Sequence, residues 1–277
     1  FAKEVNVGQN IDIASDGDVY NILLIGSDTR NGWYGNSDSM ILASINSQTK
    51  TIYMTSFMRD LYANIPNVGI RKLNSAYAVG GGPLLVSTIE SNYRIDIDNY
   101  ASVDFSSMAN IIDLVGGVDL EVSTQEAGYI NMYLDEQCGL QGLNASDYYV
   151  TGGGITHLNG NQAVGFARIR YTSRGNEHSD YGRTSRQREI LVQLMQKARS
   201  LDATTLLAVV NNMLPLITHN IDAATLTNLI ANAPSYINYD IQTDRIPYDG
   251  LYSNLGEELV PDFEATINRL HQTIYGN

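Results

Sequence analysis

Between residues 20 and 122, short apolar runs alternate with helical stretches, and this alternation limits the fold more than any other feature. VYNILLIGSDTR contains an apolar run from Tyr20 to Ile25, and MILASIN and TIYMTSF follow as further strands. The near-continuous apolar character of Tyr20–Ile25 suits a central strand covered on both faces. LLVSTIESNY reads as a helix, YASVDF as a strand, SSMANIIDLV as a helix and VDLEV as a strand. Such a sequence predicts a layered α/β domain with a mixed sheet. Gly80-Gly81-Gly82-Pro83 is read as a helix start with Pro83 in the first turn, since it lacks the lysine and hydroxyl of a Walker loop.

Residues 123–160 break the rhythm with Cys138, several tyrosines and Gly152-Gly153-Gly154, and are read as an insertion at the sheet edge. His157 in that stretch has no partner histidine at metal spacing and is expected to be packed or exposed. LNGNQAVGFA is a short helix leading to Arg168. ATTLLAVVNNMLPLI is apolar enough to be core, the alternative being the lining of an apolar groove. DAATLTNLIANA is another helix, YINYDIQTDRIPY a closing edge strand and DFEATINRLHQTIY a C-terminal helix. No repeat or long linker is visible. A single domain over residues 20–277, preceded by a lead-in over 1–19, is expected.

The formal net charge is -13, yet residues 168–188, RIRYTSRGNEHSDYGRTSRQR, hold six of the 17 Lys and Arg residues. The overall field repels nucleic acid and acidic lipid, so a polyanionic ligand would need a local cluster. No helix that could read DNA is recognisable, and nucleic acid is not an expected partner. Arg168 and Arg170 flank Ile169, a spacing that puts both guanidinium groups on one face of an extended segment. SDYGRTSRQREILVQLMQKA then reads as a loop entering a long amphipathic helix, with Thr184 or Ser185 as N-cap. Arg183, Arg186 and Gln187 would thus surround a helix N-terminus, where a bound anion would explain the unfavourable placement of cations. The competing reading is a solvated basic face paired with the many carboxylates.

Three strand-adjacent loops deliver Asp28 and Arg30, Asp38, and Arg59 with Asp60. Loops past the carboxyl ends of strands are where ligands bind in open α/β sheets. Aspartates could hold Mg²⁺ through hard oxygen while arginines clamp an adjacent phosphate; alternatively the aspartates cap turns and Arg59-Asp60 is a local ion pair. The single Cys138 excludes an internal disulfide and a thiolate metal cage. No apolar run approaches the ~20 residues needed to span a bilayer.

The segments LLIGSDTR, NSDSMILASIN, SFMRDLYANIP, RKLNSAYAVGG, IDNYASVDF, IIDLVGGVDLEV, LNGNQAVGFARIR and DYGRTSRQREIL occur in order between about Tyr20 and Ser200. Together they resemble the LytR-CpsA-Psr family of bacterial cell-envelope proteins. The resemblance implies a three-layer α/β/α fold with helices flanking a central mixed β-sheet. It also implies an Mg²⁺-dependent phosphotransferase that moves a glycopolymer, such as teichoic acid or capsule, from undecaprenyl pyrophosphate onto peptidoglycan. Asp28 and Asp38 would hold Mg²⁺. Arg59, Arg168, Arg170, Arg183 and Gln187 would bind pyrophosphate, Asp180 would order the arginines, and Arg30, Arg186 and Lys72 are further candidates. Asp38 or Asp60 would be the base. The family's Arg-Ser-Asp is Asn36-Ser37-Asp38 here, and its Pro-Arg-Asp is Met58-Arg59-Asp60, so one expected arginine is missing. Family members are single-pass membrane proteins, so this chain, which starts at Phe1, is expected to be an extracytoplasmic domain whose N-terminal anchor is not included. Two alternatives stand beside the ligase: a pyrophosphatase acting on prenyl or nucleotide pyrophosphates, and a non-catalytic regulator that binds anionic lipid or polymer.

Overall fold

The computed structural model describes residues 11–28, 35–175 and 179–276. Its first elements are β1 (Val19–Ser27), β2 (Ser37–Asn46), β3 (Thr51–Phe57), β4 (Tyr62–Ile65), β5 (Gly69–Lys72), α1 (Ser75–Tyr93) and β6 (Asn99–Asp104). There follow α2 (Phe105–Leu114), β7 (Val118–Val122), α3 (Thr124–Gln141), β8 (Gly154–Leu158), α4 (Gly160–Arg168), α5 (Ser179–Arg199) and α6 (Ala203–Met213). The chain closes with β9 (Thr218–His219), α7 (Ala223–Tyr236), β10 (Asp240–Ile246), β11 (Tyr252–Leu255), β12 (Glu258–Pro261) and α8 (Phe263–Tyr275). These elements divide between two compact units. One comprises residues up to Ser102 with Thr218–Leu226 and Tyr239 onward, the other Val103–Ile217 with Thr227–Asn238.

The first unit is built on a six-stranded sheet in the order β10-β3-β2-β1-β6-β9. Its strands β1, β2 and β3 are antiparallel neighbours, β9 runs antiparallel to β6, and β10 lies parallel to β3 at the edge. The sheet is therefore mixed, as the alternation predicts, and the α/β class is the one observed. Residues of β1 alternate between buried and half-buried, which is the period-2 signature of a strand with two unequal faces. Helices α1 and α8 pack on each other and on β2. The Phe57, Tyr93 and Phe263 rings lock that layer, with centroids 4.9 and 5.8 Å apart, contacts of about 0.5–1.5 kcal/mol each beyond their area. The glycine triplet divides α1 into two helical halves: Gly80 and Gly81 are non-helical, Gly81 with φ +63, and Pro83 lies in the first turn of the second half, as expected.

The second unit packs α2 to α6 against the β7–β8 hairpin. Residues 123–160, expected as an insertion at the sheet edge, contribute to the core of this unit. Ala127, Ile130, Leu134 and Cys138 recur every three or four residues along α3 and are fully buried with Leu120, Leu158 and Phe166, as an amphipathic helix requires. His157 is exposed, with Nδ1 2.8 Å from Asp119.

Two helices depart from their sequence reading. Helix α5 begins at Ser179, five residues before the expected cap, because Asp180 supplies an acidic first turn and an i,i+3 partner for Arg183. The Thr184 hydroxyl donates back to the Tyr181 carbonyl at 2.8 Å, a bond typical of helix interiors and not of caps. On α6 only Val209 is buried, so this apolar helix is not core.

Candidate functional site

In the first unit the strand ends shape a cluster of charge. Gly26 pairs with Ser39 and Ser27 with Ser37, which leaves Asp38 as the extra residue of a β-bulge. Bulges re-aim a side chain, and here the carboxylate is aimed at Arg59, 3.6 Å away. Asp28 continues the same pairing, its N–H donating to the Asn36 carbonyl at 3.3 Å. Both aspartates therefore stand at one end of the β1–β2 pair.

Arg59 follows β3, where the Asn74 N–H donates to its carbonyl at 3.2 Å. Its Nε lies 3.3 Å from Asp60. Lys72, at the end of β5, reaches the other Asp60 oxygen at 3.0 Å and Glu257 at 3.1 Å. The hydrogen bond to Asp60, foremost, raises the Lys72 pKa above its ordinary value, so this ammonium stays charged. Asp60 thus sits between two cations, an arrangement suited to orienting them.

The donor set of Asp28 and Asp38 fits a hard divalent cation. Mg²⁺ commonly takes one or two carboxylates and completes its shell with water and phosphate oxygens, and two carboxylates are what this sheet end offers. Among the described residues, no group of three or more His, Cys, Asp or Glu side chains converges as an all-protein metal cage.

In the second unit the segment after α4 and the start of α5 bring arginines together. Ile169 is fully buried, turning its neighbours Arg168 and Arg170 away from the core, as their spacing suggests. The Asp180 carboxylate gathers Arg183 Nε at 3.1 Å and Arg170 Nε at 3.6 Å. The Arg183 side chain is only 2% exposed. Arg168 bonds Glu136 at 3.0 Å and stacks on the Tyr133 and Phe105 rings, with its guanidinium carbon 4.5 and 5.0 Å from their centroids. Planar stacking of this kind fixes a guanidinium without consuming its donors. Gln187 lies one turn beyond Arg183, and its Oε1 is buried without a hydrogen-bond partner.

Arg186 differs. Expected among the pyrophosphate ligands, it is fully buried and donates to Glu126 and to three backbone carbonyls. Arg30 lies outside the described residues.

Glu126, Arg174, Tyr133 and Phe105 were not singled out in the sequence. Only Glu126 carried a signal: Ser123-Thr124-Gln125-Glu126 is a capping box, and both of its reciprocal bonds form. A cavity of about 570 Å³ is lined by Glu121, Ser123, Glu126, Arg174, Ser185 and Glu189, among others, and by none of the sequence-predicted site residues. Ser185 and Glu189 share one face of α5 while Arg183 and Gln187, offset by two residues, share another.

The model of the LytR_cpsA_psr family matches residues 2–269. A protein of Oceanobacillus iheyensis named polyisoprenyl-teichoic acid–peptidoglycan teichoic acid transferase TagU is 36% identical over 210 residues, covering 73% of this chain and 57% of that protein. Biofilm regulatory protein A of Streptococcus mutans is 30% identical over 215 residues, covering 73% of this chain and 50% of the relative. The chain thus spans about half the length of the curated relatives it matches. Among solved structures, "TagT bound to LIIa-WTA" aligns with a TM-score of 0.71 at 22% identity, covering 100% of this chain and 94% of that one. At that identity the likeness establishes the fold.

Proposed function

The chain belongs to the LytR_cpsA_psr family, and we propose that it transfers a glycopolymer from a polyprenyl pyrophosphate onto peptidoglycan through a phosphodiester. The relative named as a teichoic acid transferase supports the reaction class. The observation that carries the reading in this chain is the convergence of Arg170 and Arg183 on Asp180, with Arg168 stacked two residues before Arg170. Guanidinium groups oriented in advance are suited to phosphoryl oxygens, which they meet in a bidentate fork.

In the proposed reaction the acceptor hydroxyl oxygen bonds to the phosphorus that bears the glycan. The bond from that phosphorus to the bridging oxygen breaks, and polyprenyl phosphate leaves with the electron pair while the acceptor's proton passes to the leaving phosphate or to water. Such transfer needs alignment and neutralisation of developing charge more than covalent help. Arg168, Arg170 and Arg183 supply those charges in the second unit, and the Gln187 side-chain NH2 would donate to the same ligand. In the first unit Asp28 and Asp38 would hold Mg²⁺, which when bound neutralises phosphate charge. Asp60 orients Arg59 and Lys72, and its engagement with both argues against its use as the base.

The prenyl chain needs apolar cover. In the second unit Leu194 and Met195 of α5, Leu206, Val210 and Met213 of α6, and Leu214, Leu216 and Ile217 after it remain half-buried. Apolar surface left half-covered is what a lipid tail would complete. A donor of this kind resides in a membrane, so the chain is proposed to work at a membrane surface on the side where peptidoglycan lies. No helix among the described residues is long and apolar enough to cross a membrane.

The test is incubation with a short-chain prenyl pyrophosphoryl disaccharide and a glycan acceptor, with Mg²⁺ and then with chelator, products being read by mass spectrometry. The expected result is a phosphodiester-linked product and free prenyl phosphate, both needing acceptor and metal. Sugar phosphate released equally without acceptor would make the protein a pyrophosphatase. Binding without turnover would make it a regulator.

A further inference from the structure

The second unit contains a buried ion pair that touches the arginine-bearing segment from behind. Arg186 has no exposed side-chain area. Its Nε donates to Glu126 Oε1 at 2.9 Å, its Nη1 to the Ile169 carbonyl at 3.3 Å, and its Nη2 to the Thr172 and Ser173 carbonyls at 3.2 and 3.0 Å. Three carbonyls within five residues therefore face one planar guanidinium. Arg170 lies inside that span and Arg168 immediately precedes it.

Glu126 is itself immobilised. Its Oε2 accepts from the Ser123 N–H and hydroxyl, both at 2.9 Å, and the Ser123 hydroxyl accepts the Glu126 N–H at 3.1 Å. Arg174 approaches the same carboxylate at 3.4 Å and forks onto Glu189 at 2.9 and 2.5 Å. The first turn of α3, through Glu126 and then Arg186, is thus coupled rigidly to the backbone between α4 and α5.

A buried ion pair is a weak source of stability, because desolvation offsets most of its attraction; well-packed apolar residues often do as well. Placement is a different matter. Charge-stabilising donors act through preorganised geometry, and a displacement of about 1 Å can cost ~10²-fold in rate. We propose that Glu126 and Arg186 form a tether that sets where Arg168 and Arg170 point, with Arg186 a positioning residue and not a ligand contact. The inference rests on the reading of Arg168, Arg170 and Arg183 as the anion site.

The experiment compares wild type with Arg186→Lys, with the paired apolar variant Glu126→Leu/Arg186→Met, and with Arg183→Ala as control. Three quantities are measured: melting temperature, affinity for inorganic pyrophosphate by calorimetry, and amide exchange over residues 168–175 without ligand. Lysine keeps the charge but cannot span three carbonyls. The tether predicts about a tenfold loss of affinity and faster exchange over 168–175 in both tether variants. The paired variant should melt within a few degrees of wild type while showing both defects. Wild-type affinity and exchange in a normally melting paired variant would overturn the tether, as would unfolding of Arg186→Lys, which would make the pair purely structural. Unchanged binding in Arg183→Ala would overturn the pyrophosphate reading instead, and the exchange data would still report on the tether.

Discussion

Asp180 draws two guanidinium groups to one carboxylate, so Asp180→Asn should reveal both the strain of that arrangement and the ligand that relieves it. The variant keeps the shape and an acceptor oxygen but removes the negative charge between Arg183 Nε at 3.1 Å and Arg170 Nε at 3.6 Å. At an effective dielectric of about 20, a pair of unit charges near 4 Å interacts by about 4 kcal/mol. Much of this is not recovered as stability, because Asp180 is 20% exposed and the amide oxygen still accepts a hydrogen bond. The Arg183 side chain, at 2% exposure, is the group left without a counter-charge. A loss of about 1–3 kcal/mol is expected, below the ~3–5 kcal/mol of a fully buried broken pair. At about 2–4 °C per kcal/mol for a protein of this size, the melting temperature should fall by roughly 2–12 °C.

Pyrophosphate should then act as the missing carboxylate. In wild type, ligand at about 100 times its dissociation constant adds ~2.7 kcal/mol. In Asp180→Asn the bound anion also restores the lost attraction, so the ligand-induced rise in melting temperature should exceed that of wild type. Scanning calorimetry at constant ionic strength, with chloride as the control anion, separates this from screening. An unchanged melting temperature in the variant would refute the charge argument. A loss that pyrophosphate repairs no better than chloride would refute the anion site.

Arg59→Ala should lower turnover by about 10²–10³, as removal of one preorganised charge-stabilising donor does; normal turnover in a folded variant would remove Arg59 from the site. Gly160→Ala should cost about 3 kcal/mol or more, since a Cβ there would lie 1.9 Å from the Ala109 carbonyl oxygen and backbone cannot rotate aside; thermal melting checks it. Burial lowers the His271 pKa below its ordinary 6.5, with its Nε2 3.2 Å from the Tyr93 carbonyl. A depressed histidine is neutral in the fold while the unfolded chain protonates first, so its contribution is complete above about pH 6.5 and is lost as pH falls toward the folded value. Denaturant melts between pH 7 and 5 should show a shallower decline in His271→Phe than in wild type.

The centre of the sheet was legible because β1, β2 and β3 are short apolar runs, β1 with period-2 burial and β2 and β3 almost continuously buried, and local pattern fixes such elements. The hairpin of β4 and β5 was not, since Tyr62–Ile65 and Gly69–Lys72 are four residues each and carry too few alternations to be told from a loop. Residues 123–160 misled for another reason. Gly128, Gly139 and many polar residues lower the mean hydropathy of α3 and hide its apolar stripe, and only the packing of Ala127, Ile130, Leu134 and Cys138 shows it to be core. On α6 the error ran the other way. An apolar composition suggested burial, whereas the fold leaves all but Val209 at least partly exposed, which composition alone cannot distinguish.

The charged segment shows where sequence reading stops. Arg183, Arg186 and Arg188 are the same residue within six positions, and a motif treats them as equals. Three-residue steps along a helix advance by about 300°, so Arg183 and Arg186 occupy neighbouring but distinct sectors of α5. Arg183 meets Asp180 from its own helix; Arg186 meets Glu126, 60 residues away in sequence. Which sector faces α3 depends on where the helix starts and how it is rotated, and the start lies five residues before the expected cap. Both arginines are buried, at 2% and 0% side-chain exposure, so burial alone does not separate the two proposed roles either. The partners do. A guanidinium whose donors run to one carboxylate and three carbonyls of a single loop has its geometry spent on the protein. One oriented by a carboxylate that it shares with Arg170 belongs to a convergent charge site. That distinction follows from hydrogen-bond direction, a property of the folded chain that residue type and spacing do not contain.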